Sequence, residues 1–243
     1  MDQKFENWLP LESNTILLNK YLVNLGVNTD FANFVDIVSF EPEFLIPGSL
    51  GALFVYPDSP AINNYFFEQG DKMFERQIPE SIYYMKQIAE NACGTIAILH
   101  ILANIPKEYQ FIINEESFCP QFIQNTLNMT PEQRAEYLKN CKLEVKKKNG
   151  QVQSLQDAHK EVAQENLEDP NIELKAGHHF IAFVWHNGSV IELDGRKKAP
   201  INYVDCQQEL FLEKVIEICQ KHYIEKDLKE IGFNLMAFQI GFE

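Results

Sequence analysis

The chain has 243 residues, 45% of them hydrophobic and 23% charged, and a formal net charge of −14. That length and balance suit one globular domain with a substantial core, and a single domain over 1–243 is expected. The acidity excludes a nucleic-acid binder, which needs clustered Lys and Arg, and no apolar run reaches the roughly 18 residues of a membrane span.

The opening residues, Met1 to Glu6, have neither a basic nor an apolar stretch. A cytoplasmic location, with the nucleus as a second, is therefore expected. Trp8-Leu9-Pro10-Leu11 makes an apolar entry. Ser13 or Asn14 can cap a helix whose stripe is Leu17, Leu18, Tyr21, Leu22 and Leu25 and which stops near Gly26. A strand is predicted over Phe34 to Phe40, and a buried one over Leu50 to Tyr56. Ser59 to Ile78 reads as loop with part of a helix. An apolar helix is predicted from about Ala92 to Ala103, and helical pieces over 107–142, with Thr130-Pro131 as a clear helix start. Residues 143–176 are polar and almost free of aromatics, and read as a long loop across the surface. Phe180 to Val184 and Ser189 to Leu193 flank Asn187-Gly188, a strong hairpin signal. Leu210 to Tyr223 has helical spacing, and Phe233 to Ile240 reads as a last strand.

Five cysteines at wide spacings, with no CxxC pair, suggest neither a zinc site nor a disulfide framework. Cys93 stands at the start of an apolar helix, where the dipole and free backbone N–H groups favour a thiolate. Gly94 would let the backbone approach a substrate. Gln87, six residues upstream, could donate to an oxyanion together with the Cys93 N–H. The same segment also suits a buried cysteine at a helix start.

A thiolate hydrolase needs a base and a group that orients it. With the hairpin turn centred on Asn187-Gly188, His186 faces Ser189 and Ile181 faces Asp194. His179 then shares a face with Ile181 and is a diagonal neighbour of Asp194, roughly 7–8 Å away between Cα atoms. His178 points to the other face. Asp194-Gly195 could also be a plain turn. His100 reads as a core residue, and His159, His186 and His222 as surface or loop residues.

Taken in order, these motifs resemble the ubiquitin C-terminal hydrolases, in particular their small single-domain members. The resemblance is carried by Trp8-Leu9-Pro10-Leu11-Glu12, Phe34-Val35-Asp36, Tyr84-Met85-Lys86-Gln87, Asn91-Ala92-Cys93-Gly94-Thr95, Thr130 to Ala135, His179-Phe180-Ile181-Ala182 and Glu192-Leu193-Asp194-Gly195-Arg196. It implies an α/β/α fold with a six-stranded antiparallel sheet, a knotted backbone and a papain-like cysteine peptidase core. It also implies a crossover loop over the active site at about 148–172. Cys93 would be the nucleophile, His179 the base, Asp194 its orienting acid and Gln87 the oxyanion donor, with no metal or organic cofactor. The partner would be ubiquitin, or the similar Nedd8, bound by a monomer at Pro10, Leu11, Glu12, Asn14, Phe233 and Asn234. Small adducts on the ubiquitin C-terminus would be the substrates. The alternatives are a papain-like peptidase acting on other peptides and an idle ubiquitin-binding module.

Overall fold

The computed structural model describes residues 8–45, 47–147, 150–165 and 177–241. Eight strands and seven α-helices are found among them: α1 (Thr15–Leu25), β1 (Ala32–Asp36), β2 (Ser49–Pro57), α2 (Pro60–Gln69), α3 (Cys93–Ala103), α4 (Phe118–Thr126), α5 (Pro131–Lys139), β3 (Glu144–Lys146), β4 (Val152–Ser154), α6 (Leu155–Gln164), β5 (His178–His186), β6 (Ser189–Leu193), β7 (Ile201–Asp205), α7 (Phe211–His222) and β8 (Asn234–Ile240).

Six strands form one sheet in the order β1-β8-β2-β5-β6-β7, antiparallel at every pair. All nine residues of β2 are buried, because helices cover both faces. Leu53 and Val55 join a cluster with α1, α3 and α4 on one side. Ala52, Phe54 and Tyr56 join Phe211, Leu212 and Val215 of α7 on the other. A strand buried on both faces loses its polar alternation, which is why this segment reads as one apolar run. The expected α/β/α arrangement around a six-stranded antiparallel sheet is present.

Local chemistry explains the element ends. Asn14, not Ser13, caps α1, accepting from the Ile16 and Leu17 N–H groups. Thr130 and Gln133 form a reciprocal capping box at α5. Asn187 and Gly188 both have positive φ (50° and 87°), which sets the β5–β6 hairpin in the expected register, His186 opposite Ser189 and Ala182 opposite Leu193.

Side chains make bonds at both sheet edges. At β1, Asn19 Nδ2 donates to the Phe34 carbonyl (3.0 Å) and its Oδ1 accepts from the Phe34 N–H (2.7 Å). At β7, Asn202 donates to the Gln77 carbonyl and accepts from Arg76, while Arg76 also pairs with Asp205.

Three expectations need correction. The first strand ends at Asp36 and does not run on to Phe40. Residues 144–146 and 152–164 are not loop but the antiparallel pair β3 and β4, followed by α6. Ser154 caps α6, which buries Leu155, Ala158, His159, Val162 and Ala163, an i, i+3, i+4, i+7, i+8 stripe. The short stripe was masked by the charge around it. Of the expected crossover loop, 148–149 and 166–172 lie outside the described residues. Finally, His159 is a core residue. It bridges Thr95 Oγ1 (2.8 Å) and the Leu9 carbonyl (2.6 Å), with the Trp8 ring edge-on at 4.5 Å. His100 is buried, as expected.

Burial pushes the pKa of both His100 and His159 down to about 4. In the unfolded chain an imidazole takes its proton near pH 6.5, so between those limits the unfolded state binds more protons and stability rises with pH. The urea midpoint should therefore be lower at pH 5 than at pH 7. His159→Gln should make that dependence shallower, as followed by tryptophan fluorescence.

Candidate active site

Cys93 is the first residue of α3, and Ala92 before it offers no side-chain cap. The first-turn N–H groups are thus left for other acceptors. Burial by itself would push the Cys93 thiol up. The neighbouring His179 and its charge, the Phe180 backbone and the Arg196 charge outweigh that and hold the thiol below its ordinary value. The other four go the opposite way: burial raises Cys119, Cys141, Cys206 and Cys219.

His179 stands at the start of β5 with no solvent exposure. Its Nε2 donates to Asp194 Oδ1 at 2.7 Å. The Tyr56 ring packs edge-on against the imidazole at 5.6 Å. Burial would lower the His179 pKa, but the Asp194 charge and hydrogen bond, with the Cys93 contact, raise it to about 9. With Nε2 committed to Asp194, Nδ1 is the nitrogen left to serve the thiol, and it holds no hydrogen bond in this structure. The hairpin register thus delivers the diagonal His179–Asp194 pair that it implied.

Asp194 is buried, which alone would raise its pKa. The His179 charge and bond, the Lys197 charge and the Arg196 N–H (2.9 Å) hold the carboxyl far below the usual range. Its carbonyl accepts from the Tyr84 hydroxyl at 2.8 Å. The next residue, Gly195, accepts from the Gln87 N–H at 2.9 Å. A Cβ on Gly195 would come within 2.9 Å of that same nitrogen, so only glycine lets the two backbones lie this close. Gln87 Nε2 donates to the Ala89 carbonyl at 3.2 Å.

Gly94 plays a different part from the expected one. A Cβ there would meet Leu11 Cδ1 at 2.9 Å. The close approach is to the N-terminal arm of the chain itself.

The six residues expected to contact a partner, Pro10, Leu11, Glu12, Asn14, Phe233 and Asn234, line one groove of about 670 Å³. His178 and Phe180, on either side of His179, line it too. Some of these side chains also serve the fold. Leu11 is buried against Gly94, Asn14 caps α1, and Asn234 donates to the Ser13 carbonyl. The His178 ring lies with Nε2 against Gly232.

Arg196 had no role in the sequence reading. It pairs with Asp58 at 2.7 Å and adds positive potential at Cys93. Its place in the Asp194 motif was the only signal.

The family described as ubiquitin carboxyl-terminal hydrolase, family 1, matches residues 8–224. The chain belongs to this family. It is 35% identical over 220 residues to a ubiquitin carboxyl-terminal hydrolase of Aplysia californica, covering 89% of this chain and 94% of that one. It is 35% identical over 235 residues to ubiquitin carboxyl-terminal hydrolase 3 of Arabidopsis thaliana, covering 96% and 94%. Against human isozyme L1 the identity is 31% over 231 residues, covering 94% and 96%. Among solved structures, the catalytic domain of Trichinella spiralis UCH37 bound to ubiquitin vinyl methyl ester shares the fold, with a TM-score of 0.68 at 20% identity and 99% coverage of both chains. The ubiquitin carboxyl-terminal hydrolases are cysteine peptidases, which agrees with the enzyme class read from the sequence.

In this hydrolase the five thiols should separate cleanly. Iodoacetamide at pH 7 should alkylate Cys93 fastest, and peptide mapping would show it. Asp194→Asn, by removing the charge that sustains the imidazolium, should slow that alkylation at least about tenfold.

Proposed function

We propose that this chain releases small adducts and short peptides from the C-terminal glycine of ubiquitin through a Cys93-His179-Asp194 triad and a thioester intermediate. The observation that carries the reading is the buried His179–Asp194 bond of 2.7 Å, with its imidazole beside a thiol lowered at a helix start, in a chain of this family.

The steps follow from the groups present. The Cys93 thiolate attacks the glycine carbonyl carbon, and the oxygen takes the negative charge. The Cys93 N–H and the Gln87 side-chain amide donate to that oxyanion. Collapse breaks the bond to the leaving amine, which takes the proton of the His179 imidazolium. Water, deprotonated by His179, then attacks the thioester, and Cys93 leaves as thiolate. Asp194 keeps the imidazole oriented and supports its charge throughout. No metal or organic cofactor enters these steps.

The groove lined by Pro10, Glu12 and Phe233 also reaches Phe180, whose backbone contacts Cys93. It supplies a path along which an extended C-terminal tail would reach the thiol. Glu12 and Asp36 give that path an acidic lining suited to a basic tail. Nedd8, with a similar tail, is the related modifier to test beside ubiquitin.

The test is release of a fluorescent group from the C-terminal carboxyl of ubiquitin, with Nedd8 in parallel. Cys93→Ala should abolish release while ubiquitin still binds. Release by that variant would overturn the assignment, and binding without release by the wild type would mark an idle module. Gln87→Ala should lower kcat by roughly 10²–10³. Thiolate and imidazolium coexist between the lowered Cys93 value and the His179 value of about 9. The rate should hold through neutral pH and fall above about pH 9 as His179 loses its proton. In Asp194→Asn that alkaline limb should move to lower pH. Phe233→Ala should raise KM for ubiquitin substrates more than it lowers kcat.

A further inference from the structure

Seven residues after Cys93, on the same stripe of α3, lies an imidazole that takes no part in the steps above. Positions 93, 97, 100 and 104 fall on one side of the helix, with the small Ala97 between Cys93 and His100. Along this stripe runs the extended segment 83–87, tied to it at alternate residues. The Tyr83 N–H donates to Asn104 Oδ1 (2.9 Å), and Asn104 Nδ2 donates back to the Tyr83 carbonyl (2.9 Å). Two residues on, the Met85 N–H donates to His100 Nε2 at 3.0 Å. Two further on is Gln87, whose own N–H is held by Gly195.

His100 is fully buried and stacks on the Tyr84 ring at 5.3 Å, with the planes 19° apart. The far end of that ring holds the Asp194 carbonyl. A ring nitrogen that accepts from a backbone N–H carries no proton, so the imidazole is neutral with its proton on Nδ1. A charged imidazole could not accept at Met85. The depressed pKa of about 4 is consistent with this neutral form.

We propose that His100 is a positioning residue for the oxyanion donor: by fixing Met85 on α3, it sets how far along the Cys93 helix the Gln87 side chain stands. Cys93 to His100 is roughly 10 Å of helix rise, and Met85 to Gln87 roughly 6.6 Å of extended chain. The two carbonyl-stabilising donors therefore sit on two rails pinned together at His100 and Asn104. This inference rests on the reading of Gln87 as oxyanion donor.

The test compares His100→Gln with His100→Asn. The Gln amide oxygen reaches the place of Nε2 and can still accept from Met85. The shorter Asn draws the segment toward α3 by about one bond length. His100→Gln should keep kcat within about threefold of wild type. His100→Asn should lower kcat on the fluorescent ubiquitin substrate by about 10²-fold with KM little changed, as roughly 1 Å of misplacement costs. Alkylation of Cys93 by iodoacetamide should be unchanged in both, because the thiolate is set by His179. Adding Gln87→Ala to His100→Asn should cost nothing beyond Gln87→Ala alone. Full activity of His100→Asn, losses that multiply in the double variant, or a 10²-fold loss in folded His100→Gln would each overturn the proposal. If Gln87→Ala alone has wild-type kcat, the oxyanion reading itself falls, whatever His100 does. Should His100→Asn fail to fold, the His100→Gln rate still decides.

Discussion

A carboxylate with almost no exposure stays ionised in this fold, and much of the surrounding structure can be read as what that requires. A buried charge is costly unless it is paired and hydrogen-bonded. Asp194 meets that condition through His179, the Arg196 N–H and the nearby Lys197 charge. Two residues earlier, Glu192 is also buried, bonded to Lys197 Nζ (2.5 Å) and to the hydroxyls of Tyr203 (2.9 Å) and Tyr223 (2.7 Å). Lys197 therefore serves both carboxylates, and its ammonium lies 3.7 Å from the centre of the Phe66 ring. The turn from Asp194 to Lys197 is fixed from both ends by charge.

From that turn, contacts reach the other parts of the site. Gly195 meets Gln87, Tyr84 meets the Asp194 carbonyl, and Arg196 meets Asp58. Asp58 in turn donates its N–H to the Gly177 carbonyl, just before the strand of His179. On the far side, Leu11 presses on Gly94 and His159 joins Thr95 to Leu9. The N-terminal arm, which lines the groove, is thus bonded to the first turn of the Cys93 helix.

Much of this was legible in the sequence where one rule decides. Asn187-Gly188 dictates a two-residue turn, the turn dictates register, and register pairs His179 with Asp194. The α1 stripe and the Thr130 start were equally plain, because capping and periodicity agree there. The failures have causes too. Helix α6 is short, and its buried stripe includes a histidine and two alanines, so polarity hid its period. β7 is an edge strand of five residues after Pro200, too short to stand out. Gly94 was read as room for a substrate because sequence shows that space is needed, not what fills it. The link between His100 and Met85 joins residues of different segments, and nothing in spacing alone announces it.

The edges of the sheet carry one more consequence. An open edge strand offers unpaired backbone groups to any extended chain that passes. Here Asn19 occupies both backbone groups of Phe34 on β1, and the Arg76–Gln77 segment lies along β7. An extended peptide that meets β1 finds the Phe34 groups already taken, and one that approaches β7 meets the Arg76–Gln77 segment. Each guard makes the edge it covers a poorer place to recruit a strand, whether from another protein or from an unfolded copy of this chain.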